Sequence, residues 1–253
     1  MKSLQVLGNL LGVAFLMTQP VNAIVGGSDA SANDAPFTVA IISSGWLGSS
    51  HICAGSLIGP KTVITTAQCV DGSSASSLKV RVGSLEHGTG GKLNQVTSVI
   101  KHPNYNTNTL DYDYGILWLT NAVTDIDPVK IATESPLTGT PVSLYGWGQT
   151  GKLLKENSRT LQRLDTTYIS SSDCRSAWSD INPVTGRMNC DAAPEKQQGS
   201  CAHDQGGPVV SEAGELVGIM GHYDYCDPSS NGRPDVNNDP VVVTSWINTL
   251  RAD

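Results

Sequence analysis

Short stretches with a repeat of two residues run through most of this chain. Residues 78–82 alternate apolar and basic side chains, and residues 37–42 and 96–100 are rich in β-branched side chains. Neighbouring side chains of a strand point to opposite faces of a sheet, so this pattern predicts β-strands. The 26 glycines and 13 prolines favour frequent turns between them. We therefore expect a fold built mainly from short strands.

The first residues have a different pattern. Lys2 supplies a positive charge, residues 4–17 are mostly apolar, and residues 21–23 are small around a cleavage point. This order is typical of a secretory signal peptide, which predicts removal of residues 1–23 and a mature chain that starts at Ile24. Two alternatives stay open: a buried N-terminal helix, and cleavage a few residues earlier that leaves a short propeptide.

Charge limits the classes of partner. Lys2 is the only charged residue before Ile24, so the net charge of −7 becomes −8 for the rest of the chain. Nucleic acids and anionic membranes are bound by basic patches, so an acidic protein of this kind is expected to bind neither. Residues 24–253 are long enough for one large domain or two small ones. No cofactor motif stands out.

Six cysteines follow the predicted signal peptide. An even number in a secreted chain predicts disulfides, and the sequence alone allows fifteen pairings. The spacings are not those of zinc ligands. Two weak metal candidates, the pair His203 and His222 and a calcium-loop-like run at 235–239, lack the further ligands such sites need. We expect no metal site.

One stretch carries a specific resemblance. Residues 199–208 read Gly-Ser-Cys-Ala-His-Asp-Gln-Gly-Gly-Pro. They resemble the nucleophile loop of trypsin-like serine proteases, Asp-Ser-Cys-Gln-Gly-Asp-Ser-Gly-Gly-Pro. The nucleophilic Ser of that loop is Gln205 here, and a carboxamide cannot form an acyl-enzyme.

Two further motifs match the family's catalytic triad. The run Thr-Ala-Gln-Cys at 66–69 resembles Thr-Ala-Ala-His-Cys, with Gln68 at the histidine position, and residues 113–119 resemble the segment that carries the triad aspartate, with Asp113 in its place. An amide does not accept and return protons near neutral pH as an imidazole does. The resemblance therefore implies that only Asp113 of the triad is retained.

The resemblance covers nearly the whole chain after residue 23. It implies an all-β fold of two six-stranded antiparallel Greek-key β-barrels that meet at a cleft, with a C-terminal helix. Residues 24–127 would form mainly the first barrel, and residues 128–253 the second barrel and the helix. A Gly-Trp-Gly strand at 146–148 and a short helix at 171–179 also match the family.

The same resemblance implies roles for the cysteines and the mature N-terminus. The implied disulfides are Cys53–Cys69, Cys174–Cys190 and Cys201–Cys226. Ile24-Val25-Gly26-Gly27 matches the family's mature N-terminus, whose free ammonium would pair with Asp204. A buried pair of this kind is stable only when both charges are present.

Substrate-binding positions also differ from the family. His203 stands where a glycine amide helps to form the oxyanion hole, and Gly199 replaces the aspartate with which trypsin binds Lys and Arg. The positions equivalent to the specificity pocket are Gly199, Gly221, Tyr223 and Asp235. The aromatic side chains of His222, Tyr223 and Tyr225 are expected to line the cleft as a contact surface, or merely to plug the pocket.

These features predict a secreted, monomeric serine protease homologue that is not an enzyme, because Gln replaces both the triad His and Ser. We expect it to bind another protein, as an inhibitor, decoy or effector. The alternatives are a residual serine-type hydrolase and a structural protein without a specific partner. Residues 82–91 further resemble secreted fungal trypsins.

Overall fold

The computed structural model describes residues 24–46, 48–149, 156–179, 183–195, 198–223 and 232–251. The predicted signal peptide at 1–23 lies outside the described residues. Among the helices of the described ranges, none is long and apolar enough to cross a membrane.

The first barrel is a closed sheet of six antiparallel strands. They are β2 (Thr38–Gly45), β3 (Gly48–Gly59), β4 (Thr62–Thr65), β5 (Leu78–Val82), β6 (Lys92–Lys101) and β7 (Gly115–Leu119), and they pair in the order β2-β3-β4-β7-β6-β5. β5 closes the barrel on β2. The alternation at 78–82 places Leu78, Val80 and Val82 inside and the two basic residues at the surface.

The second barrel contains six strands, β8 (Pro141–Gly146), β9 (Gln162–Ile169), β10 (Met188–Ala192), β11 (Pro208–Ser211), β12 (Leu216–His222) and β13 (Asp235–Asn238). They pair in the order β9-β10-β13-β12-β11-β8, and pairing of β8 with β9 closes the sheet. A two-residue strand, β1 (Ser28–Asp29), extends this sheet at β9. The segment after Ile24 thus joins the second barrel before the chain enters the first.

Helices are few and short. They are α1 (Ala67–Val70), α2 (Ser171–Trp178) and α3 (Thr244–Leu250), with 3₁₀ turns at Ala75–Ser77 and Val241–Val243. α3 buries Ile247 against the first barrel, and Trp118 Nε1 donates a hydrogen bond to the Leu250 carbonyl. The two closed barrels and the C-terminal helix confirm the predicted fold.

The strands on either side of the barrel junction carry the site. The first barrel ends with β7 at Leu119, and the second begins with β8 at Pro141. Tyr114, fully buried between the two, donates its hydroxyl to the carbonyls of Arg187 and Asp239 in the second half. A buried phenol is retained where its hydroxyl has such partners. The contact holds Asp113, the preceding residue, at the junction.

Disulfides tie two of these segments. Cys53 is bonded to Cys69, and Cys174 to Cys190, as the family resemblance implies. Cys201 is also disulfide-bonded. Its expected partner, Cys226, lies outside the described residues. Each bond restricts the unfolded chain and is worth about 2–4 kcal/mol in general.

Candidate functional site

The 199–208 loop packs between the barrels. The carbonyl of Gln205 accepts the N–H of Ala54 from β3 at 2.9 Å, and the N–H of Gly206 reaches the carbonyl of Met220 from β12 at 2.8 Å. Gly206 has φ +82°, and a Cβ there would lie 2.3 Å from the Ala54 carbonyl oxygen. Only glycine fits this close approach, so the retained glycine holds Gln205 against the first barrel.

Gln68 lies at the start of α1 and is bonded to Asp113 at two points. Its backbone N–H donates to Asp113 Oδ1 at 2.8 Å, and its side-chain Nε2 donates to Oδ2 at 2.6 Å. Nε2 also lies 3.4 Å from the carbonyl of Gly221 on β12. The structure thus brings Gln68 and Asp113 together, with Gln68 in the place where the resemblance puts the triad histidine.

Asp113 is 1 % exposed. Burial raises its pKa to about 6, against the opposing effect of hydrogen bonds from Gln68, Ala67 and Asn238. At neutral pH the carboxylate is therefore ionised, and its charge is stabilised by donors alone. This arrangement holds the Gln68 carboxamide in one orientation.

Gln205 folds back onto its own loop. Its Oε1 accepts the backbone N–H of His203 at 2.8 Å. His203 has φ +76°, an uncommon conformation for a residue with a Cβ. His203 therefore has a left-handed backbone at a position where the family resemblance implies glycine, and the N–H that the family would offer to a substrate oxygen is occupied by Gln205.

A group of side chains that sequence reasoning missed lies beside this loop. Asn157 Oδ1 is 2.7 Å from His203 Nδ1, and Asn157 Nδ2 is 3.2 Å from Nδ1 of His51 on β3. The His51 ring centroid also lies 4.9 Å from that of His87, with the two rings tilted by 32°. Two features of the sequence could have indicated this group. His51 stands two residues before Cys53, and the predicted oxyanion-hole residue is itself a histidine.

Burial favours the neutral form of these histidines. Burial lowers the pKa of His51 to about 3, with further lowering by His87 and His203. Burial also lowers the pKa values of His87 and His203. The three rings line one side of an open cavity of about 590 Å³, together with Arg81 and Glu156.

Asp204 is completely buried at the barrel junction. Its Oδ1 accepts the N–H of Gly148 at 2.6 Å, and its Oδ2 accepts the N–H of Cys201 at 2.9 Å. Burial raises its pKa to about 7. Ile24 is buried as well, and Val25 bridges to Gly199. The nitrogen of Ile24 is part of a peptide bond in the full chain, so the ion pair with Asp204 stays a prediction for the processed protein.

Asp235 begins β13 and lies under the 199–208 loop. Its Oδ2 accepts the N–H of Ser200 at 2.5 Å, whereas its buried Oδ1 has no hydrogen-bond partner. Burial raises its pKa well above the ordinary value, and the neighbouring carboxylates Asp191 and Asp204 raise it further. Three buried carboxyl groups therefore lie within electrostatic range of one another.

The other predicted pocket residues lie on or after β12. Gly221 packs on β13, where a Cβ would lie 2.8 Å from the Val236 carbonyl oxygen. The His222 ring packs edge-on at 4.9 Å against Trp178 of α2, and burial lowers its pKa to about 4. Tyr223 is half-buried. Tyr225 lies outside the described residues.

The described ranges contain no cluster of three metal-ligating side chains. His222 contacts Trp178, whereas His203 contacts Asn157. Residues 235–238 form a strand rather than a calcium loop.

Comparison with known proteins places this geometry in a family. A family model described as Trypsin matches residues 24–247. Trypsin 5G1 of Aedes aegypti is 36 % identical over 229 residues, which cover 88 % of this chain and 83 % of the relative. Trypsin alpha of Drosophila melanogaster is 32 % identical over 236 residues, or 92 % and 89 % of the two chains. The vitellin-degrading protease of Bombyx mori is 33 % identical over 229 residues, or 86 % and 83 %.

These findings correct the prediction that the chain is not an enzyme. Its relatives are named trypsins, which are enzymes, and the structure retains a histidine, His51, beside the nucleophile-loop equivalent. The prediction was wrong because it inferred the catalytic capacity of the whole cleft from Gln68 and Gln205 alone. Gln68 is the residue bonded to Asp113, yet imidazoles reach the cleft from other segments of the fold.

Proposed function

Because this chain belongs to the trypsin family of serine proteases, we propose that it binds a polypeptide in the cleft between its barrels, with a basic side chain of that polypeptide reaching Asp235. The observation that carries the proposal is the buried Asp235 carboxyl group with its unpartnered Oδ1.

A cationic ligand fits the charge at this place. The groups that act on Asp235 through their charge are two further carboxyls, Asp191 and Asp204. A buried carboxylate is costly without a partner, and a cation within hydrogen-bond reach favours the ionised form. By the family resemblance, the aspartate with which trypsin binds a basic side chain corresponds to position 199, which is Gly here. Asp235 would supply the carboxylate from the adjacent strand instead.

The basic group would belong to a protein partner, with this chain acting as an inhibitor, decoy or effector. An interface anchored by one long side chain in a buried pocket is a common arrangement for a binding hot spot. Secretion of a monomer, after removal of residues 1–23, is part of the proposal. Two described disulfides support it, because such bonds persist in oxidising compartments.

Peptide hydrolysis is the second candidate. It is favoured by the names of the relatives, and it requires that Gln205 Oε1 first release the His203 N–H to which it is bonded. Neither Gln68 nor Gln205 carries a group that ionises near neutral pH, so the attacking group would have to be a water molecule or another side chain.

The first test uses a small planar cation as the probe. Benzamidinium and its neutral analogue benzamide are titrated calorimetrically into the full chain and into the chain that starts at Ile24. The matched variants are Asp235→Asn and, as a control, the exposed Asp127→Asn. A charge-assisted hydrogen bond is worth about 1.5–3 kcal/mol, so we expect Asp235→Asn to weaken benzamidinium binding about 10- to 100-fold.

Binding of benzamide as tightly as benzamidinium, or equal binding by Asp235→Asn and the unmodified protein, would reject the basic-side-chain pocket. Mass spectrometry of an arginine peptide before and after incubation with the protein then separates binding from hydrolysis. Loss of intact peptide would favour the second candidate.

A further inference from the structure

Two carboxamides at the centre of the cleft are each held at one end only. Gln68 Nε2 donates to Asp113 Oδ2 at 2.6 Å, and Gln205 Oε1 accepts from His203 N at 2.8 Å. Both side chains are only partly buried. The opposite end of each carboxamide is therefore available to a ligand.

The partner atom of each carboxamide identifies the end that remains free. An ionised carboxylate only accepts hydrogen bonds, so the Gln68 group against Asp113 must be its NH₂. A backbone N–H only donates, so the Gln205 group against His203 must be its carbonyl oxygen. What remains is an acceptor, Gln68 Oε1, and a donor, Gln205 Nε2. Neither atom has a hydrogen-bond partner among the residues that the structure describes.

The two glutamines stand on adjoining segments. The backbone carbonyl of Gln205 lies 3.5 Å from Sγ of Cys69, the residue after Gln68. The same carbonyl is bonded to the N–H of Ala54, which follows Cys53. The segments joined by the Cys53–Cys69 disulfide therefore carry Gln68 and contact the backbone of Gln205.

We infer that Gln68 and Gln205 form a binding site for an amide group: the ligand N–H donates to Gln68 Oε1, and the ligand carbonyl accepts from Gln205 Nε2. A carboxylate could use only the donor of this pair, and an ammonium group only the acceptor. An amide can use both, as a main-chain peptide unit or as the side chain of Asn or Gln. The inference rests on the proposed function, because it assumes that a polypeptide enters the cleft.

Gln205→Glu is the sharpest variant for the test. A glutamate still offers an oxygen to the His203 N–H, and its second oxygen turns the free donor into an acceptor. Gln68→Met removes the free acceptor at similar size. Gln68→His is the matched control, because an imidazole can donate to Asp113 through one nitrogen and present a lone pair through the other. Thermal unfolding of each variant verifies that it folds.

The probes are acetyl-Ala-Ala-Arg N-methylamide and its methyl ester, which lacks only the terminal N–H. Loss of one hydrogen bond corresponds to about a 3- to 10-fold change in affinity. We expect the ester to bind that much more weakly than the amide in the unmodified protein and in Gln68→His, and equally in Gln68→Met. Gln205→Glu should weaken the amide probe by a similar factor.

A second arm separates the two sources of the amide. Peptides that carry Gln or Ala at each position on either side of Arg are compared as N-methylamides. If Gln in the peptide increases its affinity while the amide and the ester bind equally, the site binds a side-chain amide. If the amide binds more tightly than the ester and Gln has no effect, the site binds the main chain. Benzamidinium affinity serves as the reference, because the proposed function assigns its charge-dependent part to Asp235 and no part to Gln68 or Gln205. If benzamidinium binds normally and the substitutions of Gln68 and Gln205 change probe affinity in neither arm, this inference is overturned and the proposed function stands.

Discussion

Asp113 and Asp235 are both 1 % exposed, and they flank the 199–208 loop from opposite barrels. Asp113 is surrounded by donors: both its oxygens are bonded by Gln68, and Ala67 and Asn238 add further hydrogen bonds. Asp235 has the N–H and hydroxyl of Ser200, one oxygen without a partner, and two carboxylates nearby.

The difference separates a carboxylate whose hydrogen bonds are complete from one that lacks a partner. Buried polar groups are nearly always hydrogen-bonded, so each exception needs a physical explanation. At Asp113 the explanation is internal, because the chain itself supplies the donors. At Asp235 a ligand or a proton must supply what the chain does not. The two residues should therefore respond oppositely to substitution.

The largest effect is expected from placing an imidazole and a hydroxyl group beside Asp113. In Gln68→His with Gln205→Ser, the imidazole can donate to Asp113, the new hydroxyl can act as nucleophile, and the His203 N–H is released from Gln205. Acid–base catalysis contributes about 10²–10⁴-fold in general, so hydrolysis of an arginine peptide should rise at least about 100-fold over the unmodified chain. Rates for peptides with Arg and with Gln at the cleaved position provide the measurement.

Addition of Asp235→Asn to the same double variant tests the other carboxylate. The preference for Arg over Gln should disappear, whereas the rate with the Gln peptide should stay the same. If the double variant cleaves both peptides equally well from the start, Asp235 does not contact the basic side chain.

Substitution of the two carboxylates should also have different effects on stability. Asp113→Asn replaces one of the two oxygens that accept hydrogen bonds from Gln68 with an NH₂ group, so we expect a loss of about 2–3 kcal/mol in the free energy of unfolding at pH 7. Asp235→Asn keeps an acceptor for Ser200 and removes repulsion from Asp191, so stability should be unchanged or higher. Urea unfolding of both variants provides the comparison, and equal losses would contradict it.

Sequence patterns predicted one part of this comparison and missed the other. The position of Asp113 next to Gln68 was implied by the family resemblance of the two motifs that carry them, and closed barrels leave little freedom to those segments. The donor count at each carboxylate did not follow, since it depends on side-chain orientation. The return of Gln205 to His203 and the contact of Asn157 with His51 join residues 2 and 106 positions apart, and no periodicity encodes either.

The pH dependence of stability should be a smaller difference. Burial raises the pKa of Asp113 to about 6 and that of Asp235 well above its ordinary value. A carboxyl group with a raised pKa binds more protons in the folded chain, so the free energy of unfolding falls as pH rises from about 4 through the folded-state pKa. The slope is at most about 1.4 kcal/mol per pH unit for each group.

Two buried histidines oppose this slope at low pH. The pKa values of His51 and His222 are lowered to about 3 and about 4, so their contribution to stability is lost as pH falls below about 6.5. The difference in the free energy of unfolding between two variants therefore isolates the contribution of a carboxylate better than one curve of stability against pH. Asp235→Asn should flatten the fall in stability between pH 4 and 7 in urea titrations, and a curve parallel to that of the unmodified protein would contradict the raised pKa.

The smallest effect concerns His203, which lies in the loop between the two carboxylates. Its φ of +76° strains any residue with a Cβ, and its ring contacts Asn157. His203→Gly and His203→Ala both remove the ring, and only glycine relieves the backbone. The Gly variant should therefore be about 1 kcal/mol more stable than the Ala variant, because glycine adopts left-handed φ values without a steric cost. Thermal unfolding in parallel measures this difference, and an Ala variant as stable as the Gly variant would show that the 199–208 loop relaxes to negative φ once the Asn157 contact is gone.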